Sequence, residues 1–381
     1  MSQRPCQPFW GSSGRHSEID DGAPQGRAAS PQHEVGTEVA WVAAGHADIL
    51  ELMKEEEESG RGAVEALGAA DRLHLMFERV TRHAKRHHSG RWPPDYAVTT
   101  GIRLVDAATG GFHPRDFVVV GGRPGAGKTA FLETVIHRAL ALHAPPDHPS
   151  PDRRSTLVVS AGEGGERLVE RLSVRGAAPV ANFRSGKLRD HEFRGIVRNA
   201  DMVHKTPLYL TDVFYPVVSE ITDLIATWAT EIAASTAARS DAEDDDVAPL
   251  APLVVIDSVQ QISPSERMDT RHRELADVVR RLRRSAAENG CVLLASSSLN
   301  RSHASRDRKW PLLSDLRESG TIEDEADVVL LLDREPHDDD STVYDGQNLI
   351  VAKNRFGSLG RAWVTVDNTG FMSEPPEPPS R

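Results

Sequence analysis

The sequence predicts an α/β protein built on a mostly parallel central sheet, and three observations lead to this fold class. From Thr99 onward, apolar segments of strand length alternate with segments of helical length. A glycine-rich segment joins one of these strands directly to a helix, and an aspartate ends another apolar segment. Because strands that are buried on both faces have continuously apolar sequences, the alternation indicates a parallel sheet covered by helices on both sides.

Eight apolar segments are candidate strands, and four segments between the earlier ones are candidate helices. The candidate strands are 117–122, 156–161, 207–212, 253–257, 291–296, 326–333, 348–353 and 362–367. The candidate helices are 129–142, 165–175, 216–235 and 270–289. The last strands follow one another with little chain between them, so we expect antiparallel strands at that edge of the sheet.

The sequence before the alternating region has a different character. Residues 1–36 are rich in Gly, Ser, Pro, Gln and Arg without periodicity, which predicts disorder, and the tail 374–381 is expected to be disordered as well. Residues 37–95 form a predicted helical segment with short helices at 39–58 and 63–85, the second carrying an apolar stripe. That stripe fits a helix packed on its own domain or a helix docked on a neighbouring subunit. The domain proper is assigned to 96–373.

Composition and charge limit the class of protein. The chain has 381 residues and a net charge of −12, which excludes a small, uniformly basic DNA-binding module, so any nucleic-acid site must be local. Its two cysteines, Cys6 and Cys291, indicate neither a disulfide framework nor a thiolate metal site. There is no signal-peptide core and no apolar segment of membrane-spanning length, so we expect a cytoplasmic protein with no membrane contact.

The glycine-rich segment matches the phosphate-loop pattern G-x-x-x-x-G-K-[ST] at every position. Its residues are Gly122, Arg123, Pro124, Gly125, Ala126, Gly127, Lys128 and Thr129, and Ala130 continues into the helix. The glycines let backbone N–H groups face phosphate oxygens, and the start of the helix adds its positive dipole end. Lys128 is expected to reach the β- and γ-phosphates and Thr129 to ligate Mg²⁺, so the cofactors are a nucleoside triphosphate, ATP, and Mg²⁺.

Two carboxylates complete the predicted site. Asp257 ends the apolar run 253–257 and so lies at the sheet edge where the phosphate loop lies, which makes it the metal-side residue. Glu163 follows the run 156–160 and is the candidate that orients or deprotonates the attacking water. Glu166 and Glu170 fall on the next helix and are expected to be solvated.

From about Thr99 to Ser373 the chain resembles the C-terminal ATPase domain of DnaB-type replicative helicases, which has a RecA-like fold. Four segments carry the resemblance: 100–117, which is similar to "TG(F/I)xxLDxxTGGLxPGDL"; 256–260, similar to "IDYLQ"; 299–302, similar to "LNRS"; and 353–357, similar to "KxRxG". A fifth, 314–327, reads SDLRESGTIEDEAD and is nearly the family sequence throughout.

The resemblance implies roles for several residues whose function the residue type alone does not decide. Arg355 and Lys353 would reach the γ-phosphate on the adjacent subunit of a homo-hexamer, and Gln260 would belong to the nucleotide site. The residues expected to contact single-stranded DNA are Arg317, Glu318, Gly320 and Arg301. From the residues alone, Arg317 is better interpreted as the partner of an ion pair with Asp315 or Glu318. The segment 63–88 would be the linker helix that docks on the next subunit.

The chain also departs from the family at identifiable positions. The N-terminal collar domain is not recognisable, and no loader or primase partner can be named. The family glutamate in "SLE" aligns without a gap to Gly162, one residue before Glu163, and the glutamine of "SQLNR" aligns to Ser298. The expected function is an ATP-dependent DNA helicase or translocase with 5′-to-3′ polarity in replication-related DNA metabolism. The alternatives are a RecA- or KaiC-like DNA-stimulated ATPase that does not unwind, and an ATP-binding scaffold with vestigial hydrolysis.

Overall fold

The computed structural model describes residues 97–140, 154–162, 164–211, 213–237, 250–300, 310–316, 320–334 and 346–375. The predictions made for 1–36 and for the helices within 37–95 lie outside this part of the chain. Of the predicted tail, Glu374 and Pro375 are described, and the Glu374 carboxylate accepts a hydrogen bond from the backbone N–H of Leu104 at 3.0 Å.

The described chain contains eight α-helices. They are α1 (Arg103–Thr109), α2 (Lys128–Ala139), α3 (Gly165–Val174), α4 (Val180–Ser185), α5 (Asp190–His204), α6 (Val218–Ala237), α7 (Arg271–Glu288) and α8 (Gly320–Glu325). Two short 3₁₀ turns, Val259–Gln261 and Leu313–Asp315, lie between them. No described helix has the length and apolar character that crossing a membrane would need.

Nine strands form one sheet with the order β3-β2-β4-β5-β1-β6-β7-β8-β9. They are β1 (Phe117–Gly122), β2 (Thr156–Ser160), β3 (Leu208–Thr211), β4 (Leu253–Asp257), β5 (Val292–Ser298), β6 (Val328–Asp333), β7 (Gln347–Asn354), β8 (Gly360–Val366) and β9 (Met372–Ser373). The pairs from β3 to β6 are parallel, and those from β6 to β9 are antiparallel. The predicted fold class and its antiparallel edge are therefore confirmed.

Both faces of the sheet are buried, as the continuously apolar strands predict. Along β1, Val118 and Val120 face one core with α2 and α3, and Phe117 and Val119 face another with α6 and α7. Each of these four strand side chains is at most 1% exposed. The central strands are therefore fixed from both sides, which gives the loops at their carboxyl ends a rigid support.

The sequence missed four helices: α1, α4, α5 and α8. In α5 only Glu192, Gly195, Ile196 and Val203 are buried, while Phe193 is 58% exposed and Val197 52%. An apolar stripe that is half exposed and interrupted by a glycine gives a weak helical period. The helices α4 and α8 have six residues each, too few for a periodic signal.

A buried carboxylate anchors the helix that follows the phosphate loop. Glu133 on α2 pairs with the guanidinium of Arg171, and with Arg175 at 2.9 Å, where the side chains of Glu133 and Arg175 are 4% and 1% exposed. Arg175 also donates to the carbonyl of Gly370 at 2.8 Å. Burial raises the pKa of Glu133, and the two arginines act against that rise. The pairing ties α2 to α3 and to the turn before β9.

We expect Glu133→Ala to lower the free energy of unfolding by about 3–5 kcal/mol, because it leaves the Arg175 guanidinium buried without its counterion. Equilibrium denaturation with urea measures the change. Glu166→Ala on the exposed side of α3 is the matched control and should stay within about 0.5 kcal/mol of the unmodified protein. Equal stability of the two variants would show that the cluster does not hold α2 in place.

Candidate nucleotide-binding site

The phosphate loop lies between β1 and α2, as the sequence predicts. Gly125 and Gly127 both have φ of +80°, a backbone conformation that side chains other than glycine rarely adopt. Gly127 is the residue immediately before α2, so the helix begins at Lys128. Arg123, Pro124 and Gly125 are exposed, whereas Ala126 is buried under the loop. The loop therefore presents an accessible, tightly bent backbone at the N-terminus of a helix, which is the arrangement that binds phosphate.

Lys128 turns its ammonium group into this loop. Its Nζ donates to the carbonyl of Gly122 at 2.9 Å and to that of Arg123 at 3.1 Å. Burial lowers the pKa of Lys128, and the nearby carboxylate of Asp257 acts against that lowering. The lysine thus places a cation where the predicted phosphates would lie.

Thr129 and Asp257 meet at the sheet edge as predicted. The Thr129 hydroxyl donates to Oδ2 of Asp257 at 2.9 Å, and Ser296 on β5 donates to Oδ1 of the same carboxylate. Ser296 was missed by the sequence analysis, although the pairing of β4 with β5 brings it there. A threonine oxygen next to a carboxylate is a fitting partial ligand set for Mg²⁺, which prefers oxygen donors and completes its shell with phosphate and water. Among the described residues, no group of three or more His, Cys, Asp or Glu side chains could hold a metal by itself.

Gln260 lies in the turn after Asp257, but its side chain is bound to the neighbouring strand. Its Nε2 donates to the hydroxyl of Ser297 at 2.8 Å, and its Oε1 accepts from the backbone N–H of Ser298 at 3.3 Å. Gln260 therefore fixes the end of β5 next to Asp257. The nucleotide contact predicted for it stays a prediction.

Arg355 and Lys353 lie near the amino ends of the parallel strands, whereas the phosphate loop lies at their carboxyl ends. Arg355 pairs with Asp327 at 3.0 Å, and Asp327 accepts from the backbone N–H of Phe117, where β1 begins. Phe117 and Gly122 are the two ends of β1, roughly 17 Å apart at about 3.3 Å per residue. Lys353 donates to the carbonyls of Glu323 and Asp324. These cations are therefore too far away to contact phosphates in the loop of their own chain.

Asp327 does not depend on Arg355 alone for a positively charged partner. Asp327 keeps two hydrogen bonds from Arg283, at 3.1 and 3.2 Å, when Arg355 is not counted. The side chain of Arg355 is 45% exposed, whereas that of Asp327 is 4% exposed. Arg355 can thus leave without stranding a buried charge.

Several predicted site residues lie outside the described part of the chain: Glu163, Arg301, Arg317 and Glu318. Of the predicted DNA contacts, Gly320 is described; it is exposed and begins α8. The roles assigned to these residues stay predictions.

Comparison with known proteins identifies the family of this site. The sequence model of the DnaB-like helicase C-terminal domain matches residues 97–370. The chain belongs to this family. The replicative DNA helicase DnaB of Leifsonia xyli subsp. xyli is 30% identical over 275 residues, which cover 72% of this chain and 54% of that protein. The replicative DNA helicase DnaC of Bacillus subtilis is 30% identical over 268 residues, covering 69% of this chain and 53% of that protein.

Solved structures agree with the DnaB-like fold. A DnaB-like replicative helicase, described with its interactions with primase, has a TM-score of 0.63 at 20% identity over 90% of this chain and 77% of its own. A solved ATPase domain has a TM-score of 0.64 at 22% identity over 81% of this chain and 99% of its own. The expected RecA-like fold is therefore confirmed. The chain spans about half the length of the curated relatives it matches.

Proposed function

We propose that this DnaB-like chain is the motor of an ATP-dependent DNA helicase or translocase that acts on single-stranded DNA in replication-related DNA metabolism. The observation that carries the proposal is the contact between Thr129 and Asp257 at 2.9 Å beside the phosphate loop. It unites the two side chains that a phosphate-loop enzyme uses for its metal, on a chain of the DnaB-like family.

Each residue of this site has a different proposed role in ATP hydrolysis. Backbone N–H groups of the loop and the start of α2 bind the phosphates, and Lys128 neutralises charge on them. Thr129 and Asp257 hold Mg²⁺, which supplies further positive charge to the phosphate oxygens. Ser296 holds the Asp257 carboxylate in place through its hydrogen bond to Oδ1. Glu163, just beyond β2, is proposed as the group that accepts a proton from the attacking water.

The separation of Arg355 from its own phosphate loop supports an assembled ring, a homo-hexamer in this proposal. In a head-to-tail ring, two different surfaces of neighbouring subunits meet. In this proposal, one of these surfaces carries Arg355 and the other carries the phosphate loop, so Arg355 of one copy faces the phosphate loop of its neighbour. There the arginine, with Lys353, stabilises negative charge on the transferring phosphoryl group. Hydrolysis in this account requires two adjacent subunits.

Arg317, Glu318, Gly320 and Arg301 are the proposed DNA contacts. In this proposal the two arginines contact backbone phosphates, and Gly320, at the start of α8, offers its backbone amide. Because the chain carries a net charge of −12, a DNA site on it must be a local group of cations, such as Arg317 and Arg301. Such binding is independent of base sequence and weakens as salt rises.

Strand displacement tests the proposed function. A forked duplex with a 5′ single-stranded tail is mixed with protein, ATP and Mg²⁺, and release of the labelled strand is followed over time. We expect release with ATP and none with a non-hydrolysable analogue. DNA-stimulated ATP turnover without strand release would instead assign a non-unwinding ATPase, which the glycine at position 162 and the serine at 298 favour.

A further inference from the structure

A glutamine side chain occupies the space next to the metal-side aspartate at the end of β2. Ser160, the last residue of β2, is the register partner of Asp257, and the N–H of Ala161 donates to the carbonyl of Asp257 at 3.2 Å. Gly162 follows directly. A Cβ atom at position 162 would clash with both Nε2 and Oε1 of Gln261. The carboxamide of Gln261 therefore lies flat against this glycine, in space that any larger residue at 162 would need.

Gln261 is held in this place by the turn that follows Asp257. Its backbone N–H donates to the carbonyl of Ser258 at 3.0 Å, and its Oε1 accepts from the N–H of Ser258 at 3.2 Å. The residue is half-buried, so the amide is supported on one side and accessible on the other. A carboxamide oxygen can accept two hydrogen bonds and the nitrogen can donate two, so capacity remains for a water molecule and a phosphate oxygen.

We infer that Gln261 orients the attacking water during ATP hydrolysis, an assignment that rests on the proposed function. The water oxygen forms the new bond to the γ-phosphorus, and the bond from that phosphorus to the β–γ bridging oxygen breaks, leaving its electron pair on ADP. A carboxamide cannot take up the proton, so Gln261 fixes the position of the water and the proton leaves to a carboxylate or a phosphate oxygen. Glutamine serves this purpose in GTPases, where it aligns water without acting as a base.

Three variants separate water orientation from simple packing. Gln261→Leu keeps the size of the side chain and removes the amide. Gln261→Glu keeps the size of the side chain and an oxygen that accepts from the Ser258 N–H. It replaces the amide nitrogen by an oxygen of a titratable carboxyl group. Gly162→Ala leaves Gln261 intact and pushes its amide aside. Glu266→Ala, an exposed change a few residues along the chain, is the control. For each, kcat and KM for ATP are measured across the pH range, and binding of a fluorescent ATP analogue is titrated.

We expect Gln261→Leu and Gly162→Ala to lower kcat by about a hundredfold with nucleotide affinity within about twofold, because one water-positioning contact is lost. Gln261→Glu should alter the pH profile of kcat, since a carboxylate then titrates beside the water. Unchanged kcat in Gln261→Leu, or a pH profile of Gln261→Glu that matches the unmodified protein, would overturn the assignment. If ATP turnover is still lost in Lys128→Ala, those results contradict the role of Gln261 but leave the proposed function standing. If the unmodified protein shows no more ATP turnover than Lys128→Ala, the proposed function is contradicted as well.

Discussion

Replacing Lys128 by alanine is expected to reduce kcat/KM for ATP by about a hundredfold to a thousandfold, the usual loss when one preorganised charge contact to the reacting group is removed. The ammonium group lies within the loop, 2.9 Å from the carbonyl of Gly122, whereas Arg355 pairs with Asp327 at the other end of β1.

Steady-state ATPase measurements and a nucleotide-binding titration check this expectation together. Lys187→Ala is the matched control, because Lys187 is exposed, lies between α4 and α5 and is not part of the phosphate-loop motif. Its turnover should equal that of the unmodified protein. Full activity in Lys128→Ala would refute the phosphate-loop assignment, since Lys128 is the side chain that the motif assigns to the terminal phosphates.

Mixing Arg355→Ala subunits with unmodified ones is expected to lower ATP turnover far more steeply than in proportion to the fraction of variant. The arginine lies about 17 Å along the sheet from its own phosphate loop, so each copy would complete the site of a neighbour. If one defective site stops a six-membered ring, an equal mixture leaves about one ring in sixty-four intact. The variant should fold normally, because Asp327 keeps both hydrogen bonds from Arg283.

The titration is made at constant total protein, with Lys187→Ala mixed in the same proportions as control. Subunits must be mixed before ATP and DNA are added, so that assemblies form from both kinds of chain. A loss of turnover in direct proportion to the fraction of Arg355→Ala would contradict the account. It would show that each site loses its activity independently of the other sites in the assembly.

The sequence predicted the sheet well because its strands are buried on both faces. Continuous apolar segments such as 117–122 and 253–257 coincide with β1 and β4 to the residue. The same logic placed the phosphate loop and Asp257 at one edge, since the carboxyl ends of parallel strands meet there. These features depend on local pattern and on rules of connection, both of which a single sequence contains.

Other features depend on packing between distant segments, which a single sequence does not contain. The hydrogen bond from Ser296 to Asp257 follows from the register of β4 and β5. The contact of Gln261 with Gly162 exists only because two turns at neighbouring strand ends approach each other. Likewise, the sequence motif 353–357 identifies a pair of cations, but it does not locate them. The antiparallel pairing of β7 with β6 puts Arg355 at the end of the strands opposite to the phosphate loop.

ATP turnover with and without single-stranded DNA, measured alongside the mass of the assembly in ATP and Mg²⁺, tests the central claim most directly. The account predicts an assembly of six copies whose turnover rises when single-stranded DNA is added, and whose stimulation falls as salt rises. A monomer or dimer that binds ATP, turns it over negligibly and ignores DNA would contradict it, because the site would then bind nucleotide without driving a motor.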